Sequence, residues 1–234
     1  MFNSSVVVVT GAAGALGKAV VEYFMTQGAK VAAFDLSDEL LSSTYQEVDH
    51  DNLYLHAVDL TSRESCQLAA NAVLAKWLKV DVLANIAGGF TMGEKVHETS
   101  DQTWDFLFSL NTKSIVHTSA AFVPQMQKQG GGKIINIAAG AAHQGVALMG
   151  TYVASKAAVL RLTETMAQEL REERINVNSI LPSMIDTPKN REDMPDADFS
   201  KWVPTEKIAQ VVGFLASDAA SEVHGAGLPV VGLS

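Results

Sequence analysis

The chain has 234 residues, 47% of them apolar and 18% charged, and 26 acidic against 17 basic side chains give a formal charge of −9. This composition excludes a disordered chain, and a pI near 5.1 argues against a general nucleic-acid binder, which needs a clustered basic face. The single cysteine, Cys66, excludes an intrachain disulfide framework and a cysteine-built zinc site, and no apolar run is long enough for a membrane span.

Val6 to Val9 read as a short strand buried on both faces. No basic segment precedes this run and it leads into glycines, not a cleavage site, so no signal peptide is expected and the expected location is cytoplasmic. Ala15 to Thr26 reads as a helix with Leu16, Val20, Tyr23 and Phe24 near one face, stopped by Gly28. Lys30 to Phe34 is a second strand, Ser37 opens a polar helical stretch, and Leu53 to Val58 is a third strand. Thr61 with Glu64 forms a capping-box pattern opening a helix to about Leu78. Val80 to Ile86 is a fourth strand, followed by a glycine-rich loop and a helical region from Ser100 to about Gln129. Lys133 to Ile137, the helix Tyr152 to Glu173 and Ile175 to Leu181 continue the alternation. Residues 182–203 are polar and proline-bearing without a clear strand; Thr205 to Leu215 is a helix and Leu228 to Val231 a last strand. Strand–helix alternation with apolar strands predicts an α/β fold, a doubly wound parallel sheet with helices on both faces. One domain over 1–234 is expected, since neither a linker nor a composition shift divides the chain.

The first strand meets the first helix through Thr10-Gly11-Ala12-Ala13-Gly14-Ala15-Leu16-Gly17. Glycines at 11, 14 and 17, with small residues at 12, 13 and 15, let a diphosphate approach the backbone and the positive end of the helix. Asp35 ends the second strand, 18 residues after Gly17. There a carboxylate accepts from the ribose 2′- and 3′-hydroxyls and repels a 2′-phosphate, and positions 12–16 and 36–38 hold no Arg or Lys to bind one. The expected cofactor is NAD(H).

With the glycine turn, Asp59-Leu60, Asn85-Ile86-Ala87-Gly88, Asn111, Tyr152-Val153-Ala154-Ser155-Lys156 and Pro182 through Thr187, the chain resembles the short-chain dehydrogenase/reductase family over nearly its whole length. The resemblance implies a single Rossmann domain of about seven strands, a nicotinamide cofactor and hydride transfer with a small carbonyl, alcohol or related C=N substrate. Residue chemistry points the same way. Tyr152 and Lys156 are four apart at a helix start, hence on one face. An ammonium there is expected to pull the phenol pKa toward the working range, making Tyr152 a general acid/base. The resemblance further gives Lys156 the nicotinamide ribose, Asn111 a relay water, and Asp59 the adenine amino group. It places Asn85, Ala87 and Gly88 on the adenosine side and Pro182, Ile185 and Thr187 near the carboxamide. Gly11, Gly14, Leu16, Gly17 and Leu60 complete the implied cofactor site, and no metal is expected.

The family's catalytic Ser, thirteen residues before the Tyr, is Ala139 here. Either the substrate needs no such donor, another group supplies it (His143 and Gln144 are the nearest polar candidates), or the enzyme is weak or inactive. Ala139 is shared with the dihydropteridine reductase branch, which reduces an electron-poor quinonoid ring with NADH. Leu181-Pro182, Asp186-Thr187-Pro188, Asn190-Arg191, Met194-Pro195, Ala197 to Ser200 and Trp202 resemble that branch, as does Ala87-Gly88-Gly89-Phe90. A third possibility is an NAD-binding sensor or scaffold without chemistry. Residues from about 183 to 203 are expected to form a substrate lid. The expected partners are a small-molecule substrate and a second copy of the chain, as a dimer or tetramer, with neither nucleic acid nor membrane.

Overall fold

Val6 to Val9 bury every side chain, and they do so by alternation: Val7 and Val9 enter one apolar cluster, Val6 and Val8 the other. A strand flanked by two cores must lie inside a sheet covered on both faces. The computed structural model describes residues 2–46 and 51–233. Its elements, in order, are β1 (Val6–Thr10), α1 (Ala15–Thr26), β2 (Lys30–Asp35), α2 (Asp38–Thr44), β3 (Leu53–Ala57), α3 (Arg63–Trp77), β4 (Val82–Asn85), α4 (Asp101–Phe108) and α5 (Ser114–Gln129). There follow β5 (Gly132–Ile137), α6 (Gly150–Glu169), β6 (Ile175–Pro182), β7 (Ile185–Asp186), α7 (Pro188–Asp193), β8 (Val203–Pro204), α8 (Thr205–Ala216) and β9 (Gly227–Val230).

Seven strands form one parallel sheet in the order β3-β2-β1-β4-β5-β6-β9, the Rossmann arrangement. The order reverses between β1 and β4, where Val9 pairs with Ala84 and Thr10 with Asn85. On one face α1 and α8 pack together through Val20, Phe24, Ile208 and Val212; on the other α3 and α5 bring Val73, Phe122 and Met126. Phe24 and Phe122 are fully buried, each contributing roughly 1.5–3 kcal/mol by removal from water. Among the described residues no helix is long and apolar enough to cross a membrane.

Three local expectations change. The helix after β3 is capped by Ser62, whose hydroxyl accepts from Ser65 N–H at 3.2 Å, and not by Thr61. Thr61 is taken up by Asp59, to which its hydroxyl and N–H both donate. The helical region 100–129 is broken at 109–113 by one π-type turn. There Thr112 donates to the Ser155 carbonyl and Asn111 bonds outside its own helix, and these tertiary bonds compete with the regular ladder. Residues 182–203 do contain strands: β7 and β8 pair in parallel as a two-residue ribbon, too short to leave a periodic signal.

Candidate active site

The reversal of strand order opens a crevice beyond the C-terminal ends of β1 and β4, where such sheets take ligands. A cavity of about 1080 Å³ occupies it. Gly11 has φ +65°, and a Cβ there would lie 2.8 Å from the Ala87 Cα; one on Gly17 would lie 1.9 Å from the Gly11 carbonyl oxygen. Both positions therefore require glycine. Gly14 caps α1 without a side-chain acceptor, leaving the first-turn N–H groups to a ligand. The Asp35 carboxylate accepts from Ala13 N–H at 2.9 Å and Leu36 N–H at 2.8 Å, so it also fixes the turn. Tyr45, fully buried, donates to the Ala12 carbonyl at 2.6 Å and holds the turn from behind.

Gly11, Gly14, Leu16, Gly17, Asp35, Asp59 and Leu60 line one end of this cavity, Ala87 and Gly88 its middle, and Tyr152, Lys156, Pro182, Ile185 and Thr187 the other. A glycine-built cradle, a carboxylate and two proton-bearing groups along one cleft fit a nicotinamide dinucleotide. Among the described residues, no group of three or more His, Cys, Asp or Glu side chains is arranged for a metal. Cys66 is buried, and burial pushes its thiol up to about 11, which leaves it inert at neutral pH.

At the far end α6 presents Tyr152 and Lys156 from one face. The buried Lys156 ammonium donates to the Ile137 carbonyl at 2.8 Å. A Cβ on Gly88 would stand 3.0 Å from Lys156 Nζ and 3.1 Å from Asn111 Oδ1, so that residue needs to be small. Burial pushes the Tyr152 phenol up to about 12 and the Lys156 ammonium down to about 8. This corrects the expected direction for the phenol. Desolvation is the cause in both groups, and it disfavours the phenolate and the ammonium alike.

Two residues assigned to the site stand apart from the cavity lining. Asn85 lies within the sheet, donating to Asn136 Oδ1 at 2.9 Å and accepting from Thr118 at 2.9 Å, so it braces β4 against β5. Asn111 is buried behind the cleft. Its Oδ1 accepts from Gly89 N–H at 2.7 Å, and its Nδ2 donates to the Gly89 carbonyl at 3.0 Å and the Ser155 hydroxyl at 3.0 Å. These bonds tie both ends of the carboxamide to protein. Ala139 does line the cavity, as the missing-donor argument requires. His143 is not among the residues that line it and is exposed at the end of a short 3-10 turn over Gly140–His143.

Sequence reasoning missed Tyr45, a single aromatic at the end of a polar helix, whose buried hydroxyl in retrospect had to find an acceptor. It also missed Thr10, whose hydroxyl accepts from the Ile86 and Ala87 N–H groups at 3.1 Å each and ties the glycine turn to the loop after β4. The segment 183–203 is internally braced. Arg191 makes two bonds to Asp186, at 2.6 and 2.8 Å, and lies over the Phe199 ring at 4.8 Å; Phe199 packs on the buried Trp202. Ser183, Ile185, Thr187, Pro188 and Lys189 bring this segment to the cavity wall.

Comparison with known proteins gives the same picture. The model of a family described as short chain dehydrogenase matches residues 5–198. The chain is 32% identical over 234 residues to 3-oxoacyl-[acyl-carrier-protein] reductase of Thermotoga maritima, covering 95% of this chain and 94% of that protein. It is 33% identical over 239 residues to an NAD-dependent glycerol dehydrogenase of Listeria innocua, covering 98% and 93%. Among solved structures, NAD⁺-bound xylitol dehydrogenase superposes with a TM-score of 0.91 at 26% identity over 99% of both chains. The NADH complex of 3-ketoacyl-(acyl-carrier-protein) reductase from Brucella melitensis gives 0.90 at 25% identity, covering 99% of this chain and 98% of that one.

Proposed function

The chain belongs to the short-chain dehydrogenase/reductase family of oxidoreductases, and from that premise we propose that it transfers a hydride between NAD(H) and a small carbonyl or alcohol, with Tyr152 moving the proton. The observation that carries this reading is the single cavity that begins at the glycine turn and Asp35 and ends at Tyr152 and Lys156. When bound, the reduced nicotinamide supplies the hydride. The glycine turn and the α1 N-terminus bind the diphosphate, and Asp35 accepts from the adenosine ribose and repels a 2′-phosphate. Asp59 and Leu60 meet the adenine; Ala87, Gly88, Pro182, Ile185 and Thr187 border the nicotinamide half.

A phenol pushed up to about 12 is protonated at neutral pH. In the reduction direction Tyr152 therefore holds a proton to give to the carbonyl oxygen. Lys156 orients the ribose and tempers the charge left on the phenolate. Asn111 acts through Gly89 as a positioning residue. A cytoplasmic location and a homo-oligomeric state, dimer or tetramer, belong to the same proposal.

A second reading has one observation of its own. Ala139 puts a methyl group in the cavity wall where the family's donor would stand. A quinonoid dihydropterin, already electron-poor, tolerates that loss better than a simple ketone does. A sensor without chemistry is disfavoured by the presence of Tyr152 and Lys156 in the cleft. The test is NADH and NADPH oxidation with ketones, quinones and quinonoid dihydrobiopterin, comparing wild type with Tyr152→Phe. The expected loss is on the order of 10²–10⁴ in turnover with NADH binding retained. Unchanged turnover in the variant would refute the acid role, and turnover on the pterin alone would select the second reading.

A further inference from the structure

We propose that Phe90 selects the substrate, and that the class selected is a planar, π-conjugated carbonyl compound such as an aryl ketone. This rests on the reading of Tyr152 as proton donor. The Phe90 ring meets the Tyr152 ring edge to face, with centroids 4.8 Å apart and planes at 85°, and both rings line the cavity. Phe90 is 55% exposed, so an apolar ring with half its surface uncovered stands directly beside the reacting phenol. A bare aromatic surface at that place is a stacking platform.

The backbone holds it there. Asn111 clamps the N–H and the carbonyl of Gly89, the preceding residue. A Cβ on Gly89 would lie 2.6 Å from Phe106 Cζ and 3.3 Å from Leu110 Cδ2, so the loop sits flush on α4 and the turn after it. Phe106 and Leu110 line the same cavity, and Ala138 and Ala139 bring methyl groups to it. Aromatic and methyl walls suit a flat ring with one acceptor oxygen. A polyol-derived substrate would bring hydroxyls that these five side chains leave unpaired, with Ser109, Ser183 and Thr187 offering side-chain hydroxyls elsewhere in the lining.

The step balances. The carbonyl carbon takes a hydride from the reduced nicotinamide, and the carbonyl oxygen takes the Tyr152 proton. The C=O π bond is consumed and the phenolate is reprotonated from solvent. The ketone is reduced to a secondary alcohol and the nicotinamide is oxidised.

The test compares acetophenone with cyclohexyl methyl ketone on wild type, Phe90→Leu and Phe90→Trp. Taking the ratio of the two kcat/KM values within each protein, and then comparing proteins, cancels the different intrinsic reactivity of the ketones. The aryl-to-saturated ratio is expected to fall about three- to tenfold in Phe90→Leu and to be kept in Phe90→Trp. An unchanged ratio in Phe90→Leu would overturn the inference. If wild type reduces neither ketone, the ketone-reductase reading has failed, and calorimetric binding of the same ketones to the NADH-loaded protein decides the matter for Phe90. Selective weakening of acetophenone in Phe90→Leu supports its role; equal weakening, or no binding to wild type, overturns it.

Discussion

Asn111 grips the peptide of Gly89 from both sides, accepting from its N–H at 2.7 Å and donating to its carbonyl at 3.0 Å. The same carboxamide donates to Ser155 on α6, one residue before Lys156. A single buried side chain thus fixes the distance between the loop that carries Phe90 and the helix that carries Tyr152.

Asn111→Ala removes those three bonds and leaves the Gly89 N–H and carbonyl without their buried partner. The expected destabilisation is about 2–4 kcal/mol, read as a shift in the urea midpoint. An unchanged midpoint would mean that the loop is held by something else.

Asp35→Asn removes the charge that opposes a 2′-phosphate and keeps an acceptor for only one of the Ala13 and Leu36 N–H groups, which Asp35 meets with different oxygens. The ratio of NADPH to NADH dissociation constants is expected to fall by about tenfold, equivalent to ~1.4 kcal/mol. Fluorescence titration with each reduced cofactor measures it. Tighter NADPH than NADH binding by the wild type would contradict the selectivity assigned to Asp35.

Stability should carry two opposed pH dependences. Lys156 has a folded pKa of about 8, below its ordinary value, so between pH 8 and about 10 the unfolded chain holds more protons and stability rises with pH. Below pH 8 the penalty of the buried ammonium is fully present. Tyr152 has a folded pKa of about 12, above its ordinary value, so its contribution is intact below pH ~10 and is lost as pH climbs from there to 12. Each slope approaches about 1.4 kcal/mol per pH unit. Denaturation midpoints across pH 7–11 should lose the rising limb in Lys156→Met and the falling limb in Tyr152→Phe. A Lys156→Met profile parallel to that of wild type would contradict the buried charge.

Ala139→Ser restores a hydroxyl to the cavity wall. Since loss of one such donor costs on the order of 10²–10³ in rate, the variant is expected to gain at least about tenfold in kcat on ordinary ketones. Failure to gain, with the fold intact by circular dichroism, would show that the missing donor does not limit the reaction.

The sequence revealed the fold where one element's pattern was sufficient by itself. Val6 to Val9 and the glycines at 11, 14 and 17 predict a buried strand and a phosphate turn because the local chain admits little else. It failed where long-range bonds decide. Resemblance puts Asn111 in the site as the holder of a relay water, but its partners lie 22 and 44 positions away and spacing does not show them. The pair of rings at 90 and 152 and the hydroxyl of Tyr45 on Ala12 are likewise tertiary facts. The direction of the phenol's pKa is another such fact: spacing along a helix puts Tyr152 and Lys156 on one face but does not show how far each is withdrawn from water.

The central claim is hydride transfer coupled to a proton from Tyr152. It is tested most directly with NADH deuterated at the transferring position and a ketone reduced by wild type and by Tyr152→Phe. The account predicts one deuterium on the carbinol carbon of the wild-type product, and a single-turnover rate at least about 10²-fold lower in the variant. A product without that deuterium, or a variant as fast as wild type, would contradict it.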